Sequence, residues 1–268
     1  DADQVGGGDE PVVVGVGARG AGEGAAAHRA DGVAVVDERG RDEIGDMVFR
    51  VCFVDAFQGY VCAKFARENL KATKAALLYD QTQAYAVGLQ EDFAKAFEKL
   101  GGKIVEKQTY QGGDQDFSAQ LTAIRASDPD VIFIPGYYTD VGNIAIQARK
   151  LSIKQPLLGG DGWDSAKLGE IAGDAINGCY YSNHYSPEDP NPRVQEFIKK
   201  YKEQYGNVPD GLAALGYDAA RIVCQAIDRA KSVKGADIAA GFFDIFLDVK
   251  NLVVDTERGF MFDEGSAA

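Results

Sequence analysis

The sequence predicts an α/β fold built on doubly wound parallel sheets and divided into two lobes. Three observations carry this prediction. Short, continuously apolar runs alternate with stretches of helical period from residue 74 to residue 183. Runs of that kind suit strands covered by helices on both faces rather than half-exposed antiparallel strands. The alternation then stops at SPEDPNP, with three prolines in seven residues, and two helical stretches follow with no strand between them. The break assigns residues 55–189 to a second lobe with a complete sheet plus hinge. Residues 1–54 and 190–268 meet from either side as a reduced first lobe. A chain of 268 residues, 46% apolar, suffices for two lobes with real cores.

Each element follows from its own pattern. PVVVGV and GVAVVD read as strands around the small-residue helix GAGEGAAAHRAD, a β-α-β unit. KAALLYD is a strand, and Tyr85–Leu100 is a helix with Leu89, Phe93, Ala96, Phe97 and Leu100 on one face, stopped by Gly101-Gly102. KIVEKQTY is the next strand. Asp116–Ala126 is the next helix, with Asp114 or Asp116 as its cap. The strand PDVIFIPG, the helix Asp140–Leu151, the strand QPLLGGDG, the helix Ser165–Ala172 and the strand NGCYYSNHY complete the series. Successive β-α repeats with right-handed crossovers give a parallel sheet with helices on both faces. Beyond the prolines, Arg193–Tyr205 and Leu212–Lys231 are helices, and GFMFDEG is a further strand closing on a turn.

Charge and composition exclude several function classes. Lys+Arg number 28 against Asp+Glu 41, a net charge of −13, which opposes binding to a phosphate backbone; no nucleic-acid partner is expected. No apolar run approaches the roughly 18–20 residues of a membrane helix. The opening DADQVGGGDE has neither the basic nor the apolar region of a signal peptide, so the chain reads as intracellular or as a mature chain whose leader is gone. Cys52, Cys62, Cys179 and Cys224 are widely spaced without CxxC, which argues against a clustered metal site. Cys52, Cys62 and Cys224 in particular lie in apolar contexts, as buried free thiols do. His28 and His184 are the only histidines, and neither has the spacing of a nucleophile's base, so no enzyme activity and no cofactor are expected.

The runs VFRVCFVDAFQG, KAALLYDQTQAYAVGLQEDF, DFSAQLTAI, DPDVIFIPGYYTDVGNIAIQAR, LLGGDGWDS, IAGDAINGCYYSNHYSP and AALGYDAARIV, over about residues 47–231, resemble the type I, branched-chain amino-acid class of periplasmic binding protein. The resemblance implies two α/β lobes closing over a small polar ligand, an amino acid, for delivery to the permease of an ABC transporter outside the cytoplasm. It implies that Asp161 receives the ligand's α-ammonium and that Tyr85 and Tyr137 or Tyr138 supply aromatic contacts. The residue chemistry agrees, since a zwitterion needs an anion for its ammonium and aromatic walls for its side chain. All three loops leave the carboxyl ends of strands, where α/β sheets bind ligands. Strand-end tyrosines also serve as simple wall residues, and GGDGWDS is rich in turn formers. Asp164 or Ser165 is the better cap for the following helix, which leaves Asp161 available. Trp163 reads either as a ligand-stacking residue or as filler of the cleft rim.

The first lobe departs from that class. About sixty residues of β-α units that precede PVVVGV in the family have no counterpart here. GARGAGEG and DERGRDE stand where the family has hydroxyl residues for the ligand carboxylate. A shortened lobe is expected to expose a strand edge near PVVVGV or GVAVVD, with self-association by dimerisation or strand exchange, or a weakly stable first lobe, as the result. Two alternatives follow. Gly15, Gly17 and Gly20 open a helix directly after a strand, and Asp37 ends the next strand about twenty residues on, the spacing of a dinucleotide fingerprint. ERGRDEIGDM is too short and polar for the crossover such a unit needs. The second alternative is a truncated or engineered scaffold that folds without binding.

Overall fold

The computed structural model describes residues 51–52, 55–245 and 261–264. The elements run α1 (Asp55–Glu68), β1 (Lys74–Asp80), α2 (Ala84–Lys99), β2 (Lys103–Tyr110), α3 (Ser118–Ala126), β3 (Val131–Phe133), α4 (Tyr138–Lys150) and β4 (Leu157–Gly159). After a 3₁₀ turn at Asp161–Trp163 come α5 (Ala166–Ala172), β5 (Tyr180–Asn183), α6 (Pro192–Tyr205), α7 (Gly211–Ala230), α8 (Gly235–Ile245) and β6 (Met261–Glu264). The sheet order is β2-β1-β3-β4-β5-β6. The first five strands pair in parallel, as the β-α alternation predicts.

Side-chain alternation builds the two faces. Ala75, Leu77, Val131, Phe133 and Leu158 pack under α1 and α2 against Cys62, Ala66, Leu89, Phe93 and Phe97. Their sequence neighbours Ala76, Leu78, Ile132, Ile134 and Leu157 point the other way, onto Leu121, Ile124, Val141, Ile144 and Leu168 of α3 to α5. Phe93 stacks on Phe133 at 4.0 Å between ring centroids and on Phe97 at 5.4 Å. Each such fully buried apolar side chain contributes about 1.5–3 kcal/mol relative to exposure.

Helix α1 has a weak apolar period, and a glycine interrupts it. That glycine has a packing reason: a Cβ on Gly59 would stand 2.7 Å from the Phe93 backbone nitrogen and 2.8 Å from Asp92 Cβ. Only a bare backbone lets α1 and α2 approach this closely.

The structure corrects the sequence reading at several points. Helix α3 starts at Ser118 with Phe117 at its cap position and no side-chain cap. Asp116 instead accepts from the Ser118 backbone N–H, and Asp114 turns back to Gln111. Cys62 and Cys179 are buried free thiols, but Cys224 is exposed on the outer side of α7 and Cys52 is only half-buried. The strand in GFMFDEG forms as β6. It lies in the range read as first lobe, yet it pairs antiparallel with β5, from Tyr180↔Glu264 to Asn183↔Met261. The reason is the edge itself, because β5 would otherwise present a row of unpaired backbone groups.

Helices α6 and α7 form a satellite core of Tyr185, Val194, Phe197, Ile198 and Ala214. Asn191 caps α6 ahead of Pro192, and Asp210 caps α7 by accepting from Ala213 N–H at 2.7 Å. Two polar ties hold this unit to the sheet: the Tyr185 hydroxyl donates to Pro209 C=O at 2.8 Å, and Gly211 N–H donates to Asp164 Oδ2. The segments PVVVGV and GVAVVD, and the strand edge expected to mediate self-association, lie outside the described residues.

Candidate ligand site

Strand order reverses at β1, whose neighbours β2 and β3 are reached by crossovers in opposite directions. Outside the carboxyl ends of strands flanking such a switch point, α/β sheets form a crevice. Tyr85 follows β1, Tyr137 follows β3, Asp161 follows β4 and His184 follows β5, so four loops deliver side chains to one edge. Helix α1 adds Gln58 from above the sheet.

Asp161 is the centre of this arrangement. Its Oδ1 accepts from the Tyr85 hydroxyl at 2.8 Å and from Gln58 Nε2 at 2.8 Å. Its Oδ2 lies 2.8 Å from His184 Nε2. Gln58 Nε2 also donates to Ser182 Oγ at 2.9 Å, tying α1 to β5 beneath the carboxylate. Burial pushes the Asp161 carboxyl up, but the His184 contact and the Gln58 and Tyr85 donors outweigh it and hold it below the ordinary carboxylate value. An ionised carboxylate only accepts, so His184 Nε2 carries a proton and donates. Burial, with the Asp161 charge behind it, pushes the Tyr85 phenol well above its ordinary value, so it stays a neutral donor.

A carboxylate offers about four acceptor positions. Among the described residues Oδ1 has two donors and Oδ2 has one, which leaves one position on Oδ2. The Asp161 side chain is 18% exposed while His184 is 2% exposed, so the carboxylate keeps a partly exposed face over a buried support. Gly160 is required here, because a Cβ would run into the Tyr85 hydroxyl, Leu89 and Gln58. The Tyr137 ring stands 5.6 Å from that of Tyr85, and Tyr137 is 45% exposed at the rim.

Of the site residues expected from sequence, the structure brings together Asp161, Tyr85 and Tyr137. Tyr138 begins α4 and packs partly buried against the core. Trp163 corrects both readings given for it. It is fully buried, its Nε1–H donates to Ile134 C=O at 3.0 Å, and it lies against Tyr181, so it is core and walls no cleft. Gly15, Gly17, Gly20 and Asp37 lie outside the described residues. The sequence reading missed Gln58, Ser182 and His184, although all three fall inside runs that carry the resemblance. His184 had one usable signal, since it directly follows a strand end on the same edge as Asp161.

Burial pushes the Cys62 thiol beside Ser182 up to about 12, far from a thiolate at neutral pH. Among the described residues no group of three or more His, Cys, Asp or Glu is arranged to hold a metal ion, and no helix is long and apolar enough to cross a membrane. The arrangement offers a fixed anion, open on one side, beside an aromatic wall.

The periplasmic binding protein family model matches residues 11–245, so the chain belongs to that family. Its relatives place it with the type I, branched-chain amino-acid class. The Leu/Ile/Val-binding protein homologue 2 of Brucella abortus is 31% identical over 193 residues, 71% of this chain and 51% of that protein. A leucine-binding protein of Thermotoga maritima, known from its crystal structure, is 42% identical with a TM-score of 0.72, over 75% of this chain and 57% of that one. The branched-chain amino acid transporter substrate-binding protein of Streptococcus pneumoniae, solved with isoleucine, is 30% identical with a TM-score of 0.70, over 76% and 58%. The chain spans about half the length of the curated relatives it matches. The family match begins at residue 11, so it takes in the glycine-rich segment of the dinucleotide reading as part of the binding-protein chain.

Proposed function

We propose that this chain captures a small α-amino acid in the crevice at Asp161 and presents it, outside the cytoplasm, to the permease of an ABC-type uptake system. One observation carries the reading. Among the described residues Asp161 is held ionised by two donors on Oδ1 and one on Oδ2, and its side chain stays 18% exposed. A primary ammonium fits the remaining acceptor position on Oδ2 as a charge-assisted donor. Tyr85 and Tyr137 flank the side-chain space with apolar ring faces and polar tips. The names of the relatives, which bind leucine, isoleucine and valine, support an amino-acid ligand. Capture proceeds by closure of the two lobes about the hinge after β5, with the ligand bridging them.

The test is a thermal-shift panel of the twenty standard L-amino acids together with NAD. A ligand that binds only the folded chain raises its melting temperature by mass action. The expected result is a shift with one or more amino acids and none with NAD. A shift with NAD alone would replace this reading with the dinucleotide one, and a flat panel would leave a scaffold that binds neither.

A further inference from the structure

A second group of polar side chains lies on the same sheet edge as Asp161 but over the opposite face of the sheet. Asp80 ends β1, Tyr110 ends β2 and Asp140 stands in the first turn of α4. Tyr110 packs with Phe117 and Val141 in the core under α3 and α4, whereas Tyr85 lies against the core under α1 and α2. Tyr110 is 2% exposed, and its hydroxyl has no hydrogen-bond partner among the described residues. A buried hydroxyl left unpaired costs free energy, so it marks a place where a polar group belongs.

Two carboxylates stand beside that hydroxyl, each fixed through one oxygen. Asp80 Oδ1 accepts from Thr82 N–H at 2.8 Å and from the Thr82 hydroxyl at 2.6 Å. Asp140 Oδ1 accepts from Gly113 N–H at 3.2 Å. The second oxygen of each turns toward Gly112, where a Cβ would stand 2.7 Å from Asp80 Oδ2 and 3.9 Å from Asp140 Oδ2. Burial, and then the charges of Asp140, Asp80 and Asp114, push the Tyr110 phenol well up, so the hydroxyl shares this anionic neighbourhood as a neutral group. Asp80 is itself 2% exposed, yet no ion pair among the described residues involves Asp80, Asp114 or Asp140. Buried carboxylates are ordinarily paired with a cation.

We propose that Asp80, Asp140 and Tyr110 form a second binding niche, which receives the guanidinium of an arginine side chain presented by a protein partner. A guanidinium carries five donors in one plane, so it serves Asp80 Oδ2, Asp140 Oδ2 and the phenol oxygen together. It supplies the permanent positive charge that the cluster lacks. A metal ion suits the niche less well, since no group of three or more His, Cys, Asp or Glu among the described residues is arranged to hold one. The niche opens at the exposed turn Gln111–Gly113. Small-molecule sites enclose most of their ligand, whereas a side chain reaching in from a partner's surface needs only an open mouth. Asp161 has no part in this niche, so the inference is independent of the amino-acid reading.

The test is titration of the isotope-labelled chain with the blocked peptide acetyl-Gly-Arg-Gly-amide at low salt, read from the backbone amide NMR shifts. Saturable shifts centred on Gly112, Gly113 and Asp140 are expected, and they should weaken as salt is added. The same peptide with citrulline in place of arginine keeps the shape without the charge and should give none. Asp80→Asn combined with Asp140→Asn should bind at least about tenfold more weakly. Gly112→Val leaves every charge in place and fills the space between the two oxygens. Gly112 is exposed and its φ lies outside the left-handed region, so the backbone accepts valine there. That variant, folded by circular dichroism, should lose affinity to a similar extent. No shift with the arginine peptide, equal shifts with citrulline, shifts spread over the acidic surface, or undiminished binding by Gly112→Val would each overturn the inference. The peptide's blocked ends offer Asp161 no α-ammonium, so each of these results leaves the amino-acid reading intact.

Discussion

Asp161 and Asp164 stand at the two ends of one short turn and are held in opposite directions. Asp161 is partly exposed, and donors from His184, Gln58 and Tyr85 keep its carboxyl below the ordinary value against the pull of burial. Asp164 accepts from Gly211 N–H at the start of α7 and from the Tyr181 hydroxyl at 3.3 Å, yet burial dominates and raises it. One turn therefore carries a carboxylate held ionised by three donors and a second that docks the α6–α7 unit onto the sheet.

This pairing gives opposite pH dependences. A depressed folded-state value means that Asp161 contributes stability present above the ordinary carboxylate range and lost as pH falls through the folded value. A raised value means that Asp164 contributes stability below the ordinary range and loses it as pH rises through the folded value. Urea unfolding from pH 3 to pH 8 should show Asp161→Asn losing about 1–3 kcal/mol at pH 7, because its NH₂ faces one of three buried donors. Its remaining stability should fall less steeply in acid. Asp164→Asn keeps an acceptor for Gly211 N–H and should be at least as stable as wild type at pH 7. Equal losses in the two variants would contradict the assignment.

Tyr85→Phe keeps the ring beside Tyr137 and removes one of two donors on Asp161 Oδ1. Ligand affinity should fall roughly three- to tenfold, matching the about 0.5–1.5 kcal/mol of a typical hydrogen bond. Calorimetric titration measures it directly. An unchanged affinity would mean that the Tyr85 hydroxyl does not orient the carboxylate.

Two glycines separate site from scaffold. A Cβ at Gly59 meets the Phe93 backbone nitrogen, which cannot move without shifting α2. Gly59→Ala should destabilise the chain by about 1–3 kcal/mol in urea melts. At Gly160 the same Cβ meets the end of the Tyr85 side chain. Gly160→Ala should therefore weaken ligand binding more than it weakens the fold. The reverse ranking would place Gly160 in the core rather than in the site.

The sheet was legible in the sequence because its strands are covered on both faces and its helices carry strong apolar stripes. Leu89, Phe93 and Phe97 take the buried positions that their spacing implies. Helix α1 was not legible, since Gly59 and Gln58 serve a close helix contact and a polar network rather than an apolar period. Asp161 could be found as the acidic residue of a strand-end loop. Its partners could not, because Gln58 and His184 lie 103 and 23 residues away and meet it only across the sheet edge. Trp163 misled for a related reason: a large aromatic between two aspartates looks like a rim residue, and only the packed structure shows its indole N–H turned inward to Ile134.

The central claim is that Asp161 receives the ammonium of an amino-acid ligand. Calorimetric titration of the wild type and Asp161→Asn against the twenty standard L-amino acids tests it most directly. Circular dichroism confirms that the variant is folded, and the fluorescence of Trp163, the single tryptophan of the chain, reports the adjoining turn. A charge-assisted hydrogen bond contributes about 1.5–3 kcal/mol, so affinity should drop at least roughly tenfold in the folded variant. Equal affinity of the two proteins for the same amino acid would contradict the claim.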